Sequence, residues 1–269
     1  MTYRSQMATI AIVILSLVLF GSSRFNGLAE GADKSRRGPD VAKCDKVQFR
    51  VILDAGHTAE AFGAMSARNA PEYDFNLRLA KEIGQNLIDV GFIKTVLLVT
   101  HGPALPSLLE RVTVANRLSA NLFLSIHHDS VPDSFLQDWD YDGTPSHFSD
   151  RFKGYSLFVS YDNRNIKASL LFARLIGTQL KDRGLPYASH YAEEFMGGRR
   201  RQLIDADVGV YRYDQLVVLR ETQMPAVLLE AGSIINRDEE MLMNLPEHRA
   251  RIRGAVTAAV EMFCKVRSP

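Results

Sequence analysis

The run Val51-Ile52-Leu53-Asp54-Ala55-Gly56-His57 is apolar as far as Leu53, then turns through an acid and a glycine onto a histidine. A short, nearly continuous apolar run of this kind suits a strand buried on both faces. Working outward from 49–53, the same pattern returns at 95–99, 122–126, 156–160 and 226–229, each rich in Val, Ile, Leu and Phe. Segments with helical spacing lie between them. Tyr73, Leu77, Ala80, Ile83, Leu87 and Val90 recur every three or four residues, and Gly91 follows as a stop signal. Leu170, Ala173, Ile176 and Leu180 repeat that spacing before Gly184, and Ile252, Val256, Val260 and Phe263 line a last helix. Strands alternating with helices predict a single α/β domain, a mostly parallel twisted sheet of about six strands with helices on both faces. Segments 132–153 and 186–207 are long, polar and aromatic, and read as loops or helical insertions on that scaffold.

Composition agrees with one folded domain. The chain has 269 residues, 46% apolar and 23% charged, enough to bury a substantial core. Eighteen Gly and ten Pro, with no low-complexity stretch, exclude a collagenous or largely disordered chain. A formal net charge of +1 gives no general electrostatic drive toward nucleic acid or an acidic membrane surface. Two cysteines are too few for a disulfide scaffold or a Cys-based zinc module.

At the N-terminus, Arg4 precedes a nearly all-apolar run from Met7 to Phe20, followed by Gly21, Ser22 and Ser23. The run falls short of the ~20 residues of a spanning helix and matches the core of a secretory signal. Residues 1–30 are therefore expected to be a signal peptide or N-terminal anchor, 31–46 a linker, and 47–269 the folded domain, with the protein exported to the periplasm or cell envelope. Cys44 lies before the first strand and Cys264 in the last helix; an oxidising compartment permits them to pair, and two buried free thiols are the equal alternative.

In open parallel sheets, reactive groups collect beyond the C-terminal ends of strands. Three runs end on a metal- or proton-competent residue there: His57 after the first, His127-His128-Asp129 after the 122–126 run, and Glu230 after the 226–229 run. Glu72 opens the amphipathic helix beginning near Tyr73. Singly, a core histidine is usually a satisfied structural group, and an acid at a helix start complements the dipole. Together, two imidazoles and a carboxylate are a common ligand set for catalytic zinc, and a second carboxylate suits proton transfer.

Leu53-Asp54-Ala55-Gly56-His57 resembles the opening motif of the zinc-dependent N-acetylmuramoyl-L-alanine amidases of the family-3 type, which are cell-wall hydrolases. Glu72-Tyr73-Asp74-Phe75-Asn76-Leu77 with Leu79-Ala80, then Arg111, Ala115-Asn116 and the run from Ala120 to His127, continue the likeness. Met224-Pro225 through Glu230-Ala231-Gly232, with Asn236 and Glu239-Glu240, is similar to its C-terminal block. The resemblance implies that His57, Glu72 and His127 hold Zn2+ and that Glu230 acts as general base, then general acid. It implies hydrolysis of the amide between N-acetylmuramic acid and L-alanine in peptidoglycan or muropeptides. The alternatives are a zinc peptidase cutting within the stem peptide and a non-catalytic wall-binding or regulatory homologue. The expected partner is the peptidoglycan substrate, with an activator protein as a further candidate, no nucleic acid, and membrane contact only if the N-terminal segment is retained.

The chain departs from the family at Thr58-Ala59, where further glycine is usual, and at Thr100-His101, where a Thr-Arg pair is common; His101 receives no role. His128 neighbours the expected ligand, but adjacent strand residues point to opposite faces. No separate wall-binding module is expected, which leaves targeting to the catalytic domain, a partner or the N-terminal segment. Asp138, Asp140, Asp142 and Gly143 resemble the start of a calcium loop, but Pro145 and Ser149 break it, so a solvated acidic insertion is expected. Glu193 and Glu194 read as an exposed helix, with a carboxylate covering the metal as the alternative. Arg199-Arg200-Arg201 reads as a solvated face, with stem-peptide carboxylates as the alternative partner. The chain lacks a Gly-x-Ser-x-Gly elbow, which argues against a serine hydrolase.

Overall fold

The computed structural model describes residues 44–267, all within one compact unit. The expected signal or anchor and most of the linker lie outside the described residues. In chain order the elements are β1 (Val51–Ala55), α1 (Glu72–Asp89), β2 (Val96–Leu98), α2 (Ala104–Leu118), β3 (Leu122–Asp129), β4 (Gln137–Tyr141) and β5 (Thr144–Phe148). There follow β6 (Ser156–Val159), α3 (Ile166–Asp182), β7 (Gln202–Asp205), β8 (Val210–Arg212), α4 (Val217–Arg220), β9 (Ala226–Ser233), α5 (Arg237–Asn244) and α6 (Pro246–Arg267).

Seven strands form the main sheet in the order β2-β1-β3-β9-β6-β8-β7. The pairs β1–β2, β1–β3, β3–β9 and β6–β8 are parallel, whereas β6 against β9 and β7 against β8 are antiparallel. The C-terminal ends of β1, β3 and β9 thus share one edge, the edge at which a parallel sheet presents ligands.

Side-chain alternation along these strands feeds two cores. Val51, Leu53, Leu122 and Leu124 pack with Ile83 of α1, Phe172 of α3 and Val256 of α6. Ile52, Phe123 and Leu228 pack on the other face with Ala115 of α2 and Leu219 of α4. Helices cover both faces, as expected for an α/β sheet. Full burial of each large apolar side chain contributes about 1.5–3 kcal/mol, which is why these strands tolerate almost no polar residue before their C-terminal ends.

Two sequence expectations are corrected, both on insertions. Segment 132–153 is neither loop nor helix over most of its length: β4 and β5 form a separate two-stranded hairpin. Its turn carries positive φ at Asp142 (54°) and Gly143 (77°), the backbone that matches hairpin twist, and Asp-Gly is the sequence signal for it. Segment 186–207 contributes β7 to the sheet edge besides two short 3-10 turns, 190–192 and 194–199. The strand count is seven because β7 and β8, with sequences QLID and VYR, are too short and too polar to stand out. Cys44 and Cys264 form a disulfide with Cα atoms 5.2 Å apart, tying the segment before β1 to α6.

Candidate metal centre and active site

The first turn of the site is held from below. Asp54, the fourth residue of β1, is fully buried, accepts from Ser125 Oγ at 2.6 Å and faces Arg111 Nε at 3.1 Å. Arg111, buried on α2, also donates to Thr100 Oγ1 at 3.0 Å and, through Nη2, to the backbone carbonyl of His57. His57 takes a left-handed backbone (φ 68°), unusual for a residue with a side chain and costing about 1–3 kcal/mol. The Arg111 contact fixes that strained turn and so aims the imidazole.

Glu72 stands in the first turn of α1, where a carboxylate is favoured by the helix dipole. Its Oε1 accepts from Asn76 Nδ2 at 3.0 Å and its Oε2 from the Ala64 amide at 3.1 Å. Nε2 of His57 lies 3.0 Å from Glu72 Oε2, and Nδ1 of His127 lies 2.9 Å from Glu72 Oε1. One nitrogen from each imidazole and one carboxylate oxygen lie within 4.8 Å of one another, and among the described residues this is the cluster able to hold a metal ion. Burial works to raise the Glu72 carboxyl, but hydrogen bonds and charge from His127 and His57 outweigh it and hold the group well below the ordinary carboxylate range.

Two glycines make room for this convergence. A Cβ at Gly56 would stand 2.2 Å from His127 Nε2, and one at Gly63 would stand 2.4 Å from Glu72 Oε2. Gly63 also has φ 80°, a backbone that side chains disfavour.

His128 points the other way. It is buried, pairs through Nδ1 with Asn76 Oδ1 at 2.8 Å, and burial pushes its pKa down to about 3. Asn76 thereby links Glu72, the Gly56 carbonyl at 3.2 Å and His128. The sequence placed Asn76 in a motif without a task; its i, i+4 spacing from Glu72 is the signal that assigns one.

Glu230 in β9 is the register partner of His127 in β3. Its Oε2 is sealed from solvent and has no hydrogen-bond partner. Burial, with the charges of Asp129 and Glu72, pushes this carboxyl well above its usual range. Asp129 accepts from Tyr191 Oη at 2.6 Å, and the buried Tyr191 phenol is raised well above its ordinary value by burial and by that carboxylate. Tyr191 is a site residue that the sequence did not single out, and Asp129 one that it placed at the strand end without a role. His57, Glu72, His127 and Glu230 all line one cavity of about 630 Å³, whose walls include Phe158, Tyr213, Leu216, Arg199 and Arg201.

Glu193 and Glu194 are absent from the metal cluster. Glu193 lines a separate cavity of about 490 Å³ with Arg151, Phe152 and His190, and exposed Glu194 lies 3.8 Å from Arg200. Neither covers the site. Asp138, Asp140 and Asp142 sit on the exposed hairpin, where Asp138 meets His147 at 2.9 Å.

The donor chemistry fits zinc: two imidazoles and one carboxylate, from the turn after β1, from β3 and from α1, opening on a cavity. The chain is similar to known amidases. An N-acetylmuramoyl-L-alanine amidase from Mycobacterium tuberculosis is 25% identical over 210 residues, 76% of this chain and 73% of that one. The Escherichia coli amidase AmiA is 23% identical over 222 residues, 78% of this chain and 74% of its own. Among solved structures, the amidase Ami1 of Mycobacterium smegmatis superposes with a TM-score of 0.64 at 21% identity, covering 82% of this chain and 99% of that one. The catalytic domain of the amidase CwlV from Paenibacillus polymyxa gives 0.58 at 26% identity, covering 81% and 99%. The model of one family, described as N-acetylmuramoyl-L-alanine amidase, matches residues 51–262, from the start of β1 well into α6. The chain therefore belongs to the N-acetylmuramoyl-L-alanine amidase family.

Proposed function

We propose that this protein is a zinc-dependent amidase that hydrolyses the bond between N-acetylmuramic acid and L-alanine in peptidoglycan or its soluble fragments. The observation that carries the proposal is the convergence of His57, Glu72 and His127 donor atoms within 4.8 Å, on the sheet edge where Glu230 is the register partner of His127. His57, Glu72 and His127 would hold the metal. When bound, zinc supplies Lewis acidity and brings the pKa of a water toward ~7.

The remaining steps belong to the chain. Glu230 accepts the proton of the attacking water and returns it to the departing alanine amine, which requires one carboxyl to serve as base and then acid. Its buried, unpartnered Oε2 suits that exchange, because no fixed hydrogen bond has to break first. Arg111 and Asp54 hold the His57 turn, and Asn76 orients Glu72. The apolar and aromatic walls, Phe158 and Leu216 among them, exclude water around the reacting amide.

Residues 47–269 would form the catalytic domain, and residues 1–30 a signal peptide or anchor that exports it to the cell envelope. The Cys44–Cys264 bridge supports an oxidising location. Among the described residues no helix is long and apolar enough to cross a membrane.

The test is digestion of purified sacculi by zinc-loaded protein, with and without a chelator, followed by mass spectrometry. Glycan strands stripped of peptide, with peptides bearing a new alanine N-terminus, are expected only without chelator. Shortened peptides still joined to sugar would instead identify a peptidase.

A further inference from the structure

Four carboxylates, Glu72, Asp129, Asp133 and Glu230, line the cavity that would receive the substrate, while the chain as a whole carries only +1. Such a floor repels an anion unless local cations offset it. Any peptide attached through its N-terminal alanine ends in a carboxylate. Arg199 and Arg201 line the same cavity; Arg200, between them, turns away to the Ala192 carbonyl (2.9 Å) and Glu194.

Arg201 is held ready for a planar anion. Its guanidinium lies 3.8 Å over the Tyr213 ring, and Nη1 donates to the Gly198 carbonyl at 2.9 Å and the Arg200 carbonyl at 2.8 Å. Its backbone amide is tied to the Tyr191 carbonyl at 2.7 Å, while its Nε is buried without a partner. A stacked, anchored fork loses little entropy on binding a carboxylate. Arg199 reaches the Ser130 carbonyl at 3.4 Å, one residue past β3 and three past His127, which couples the pair to the metal-bearing strand.

We infer that Arg199 and Arg201 are specificity-determining residues that bind a carboxylate of the substrate's peptide, an inference that rests on the amidase reading. The test uses two muropeptides identical except that the peptide carboxylate of one is a carboxamide. Wild-type protein is expected to favour the acid about tenfold in kcat/KM, carried mainly by KM. R201Q and R199Q should bring the ratio toward one, R201K should restore it only in part because lysine cannot stack as a fork, and R200Q should keep the wild-type ratio. Binding of the two free peptides to E230Q, read by calorimetry, repeats the comparison without turnover. If wild type cuts neither muropeptide, the amidase reading fails while the binding arm still decides the arginines. An unchanged acid-to-carboxamide ratio in R199Q and R201Q, or no preference in wild type, overturns the inference; the latter is also what recognition of a glycan-borne phosphate would give.

Discussion

His127 and Glu230 face one another in register across the parallel β3–β9 ladder. Their side chains share the sheet face that carries Phe123 and Leu228, so hydrogen bonds of the backbone set the relation between the proposed metal ligand and the proposed proton carrier. A change confined to the Glu230 head group should leave that geometry intact. Glu230→Gln is expected to lower hydrolysis by about 10²–10⁴-fold, the range for loss of a general acid–base group, with zinc content unchanged. Turnover assays beside metal analysis check this; undiminished hydrolysis removes Glu230 from the chemistry.

The glycines beside the cluster give a converse case, in which the metal is lost and the fold is kept. Gly56→Ala places a methyl 2.2 Å from His127 Nε2, and the imidazole has no choice but to swing away from Glu72. Zinc affinity should drop about tenfold or more, within the range reported for disturbing the support of a ligand. Titration with a competing chelator reads the affinity, and circular dichroism verifies that the sheet survives.

How far the sequence discloses this architecture depends on the kind of signal. His57, His127 and Glu230 are legible because each follows an apolar run too short for anything but a buried strand, and Glu72 because it opens a helix with clear periodicity. Strand direction is not legible: the run 156–159 is as apolar as its neighbours, yet β6 lies antiparallel to β9, since an apolar pattern carries no polarity. α2 escapes because Pro106 stands in its first turn, Leu105 and Leu109 are exposed, and the residues it buries are Ser107, Arg111 and Ala115, which leaves no buried apolar stripe. Tertiary partners are hidden for a deeper reason. Nothing local in the sequence tells that Arg111 meets Asp54 and the His57 carbonyl, 57 and 54 positions away. The even choice between a Cys44–Cys264 bridge and two free thiols had the same root, a distance that only the fold supplies.

That buried pair makes its own prediction. Arg111 and Asp54 are respectively 2% and 0% exposed, so removing the cation strands a carboxylate in the core. Arg111→Met should cost about 3–5 kcal/mol in denaturant unfolding, whereas the double change with Asp54→Asn should recover part of it by removing the orphaned charge. The single variant should also bind zinc more weakly, because the left-handed His57 turn loses its support. Equal stabilities of single and double variants would show that the pair is not coupled.

On acidification two further histidines matter. His128, held down to about 3 by burial, and His248, lowered by burial and by Arg251 and Arg249, both stay neutral in the folded chain when they would protonate in the unfolded one. Their folded pKa values are depressed, so the unfolded state binds more protons below about 6.5, and stability is lost as pH falls from there. Each contributes a slope of at most about 1.4 kcal/mol per pH unit. His248→Gln should flatten the decline by its share without altering stability near pH 8. Denaturant midpoints from pH 8 to 5 measure it, and a variant with the wild-type slope would assign the decline elsewhere.

The Cys44–Cys264 bridge acts on the other edge of the sheet. Cys264 shares a surface cavity with Phe49 and Asn121, residues just ahead of β1 and β3, whereas His57 and His127 lie at the C-terminal ends of those strands. The bridge spans 220 positions, and closing a loop of that size removes unfolded-chain entropy worth up to about 5 kcal/mol. A Cys44→Ser/Cys264→Ser variant should therefore unfold at lower urea, with a loss of about 2–5 kcal/mol, while the folded fraction hydrolyses substrate at the wild-type rate. Reductant should reproduce the effect in the wild type and do nothing to the variant. A reduced protein with an unshifted midpoint would show that packing of Phe263 against Phe49 and Phe172 holds α6 in place without the covalent tie.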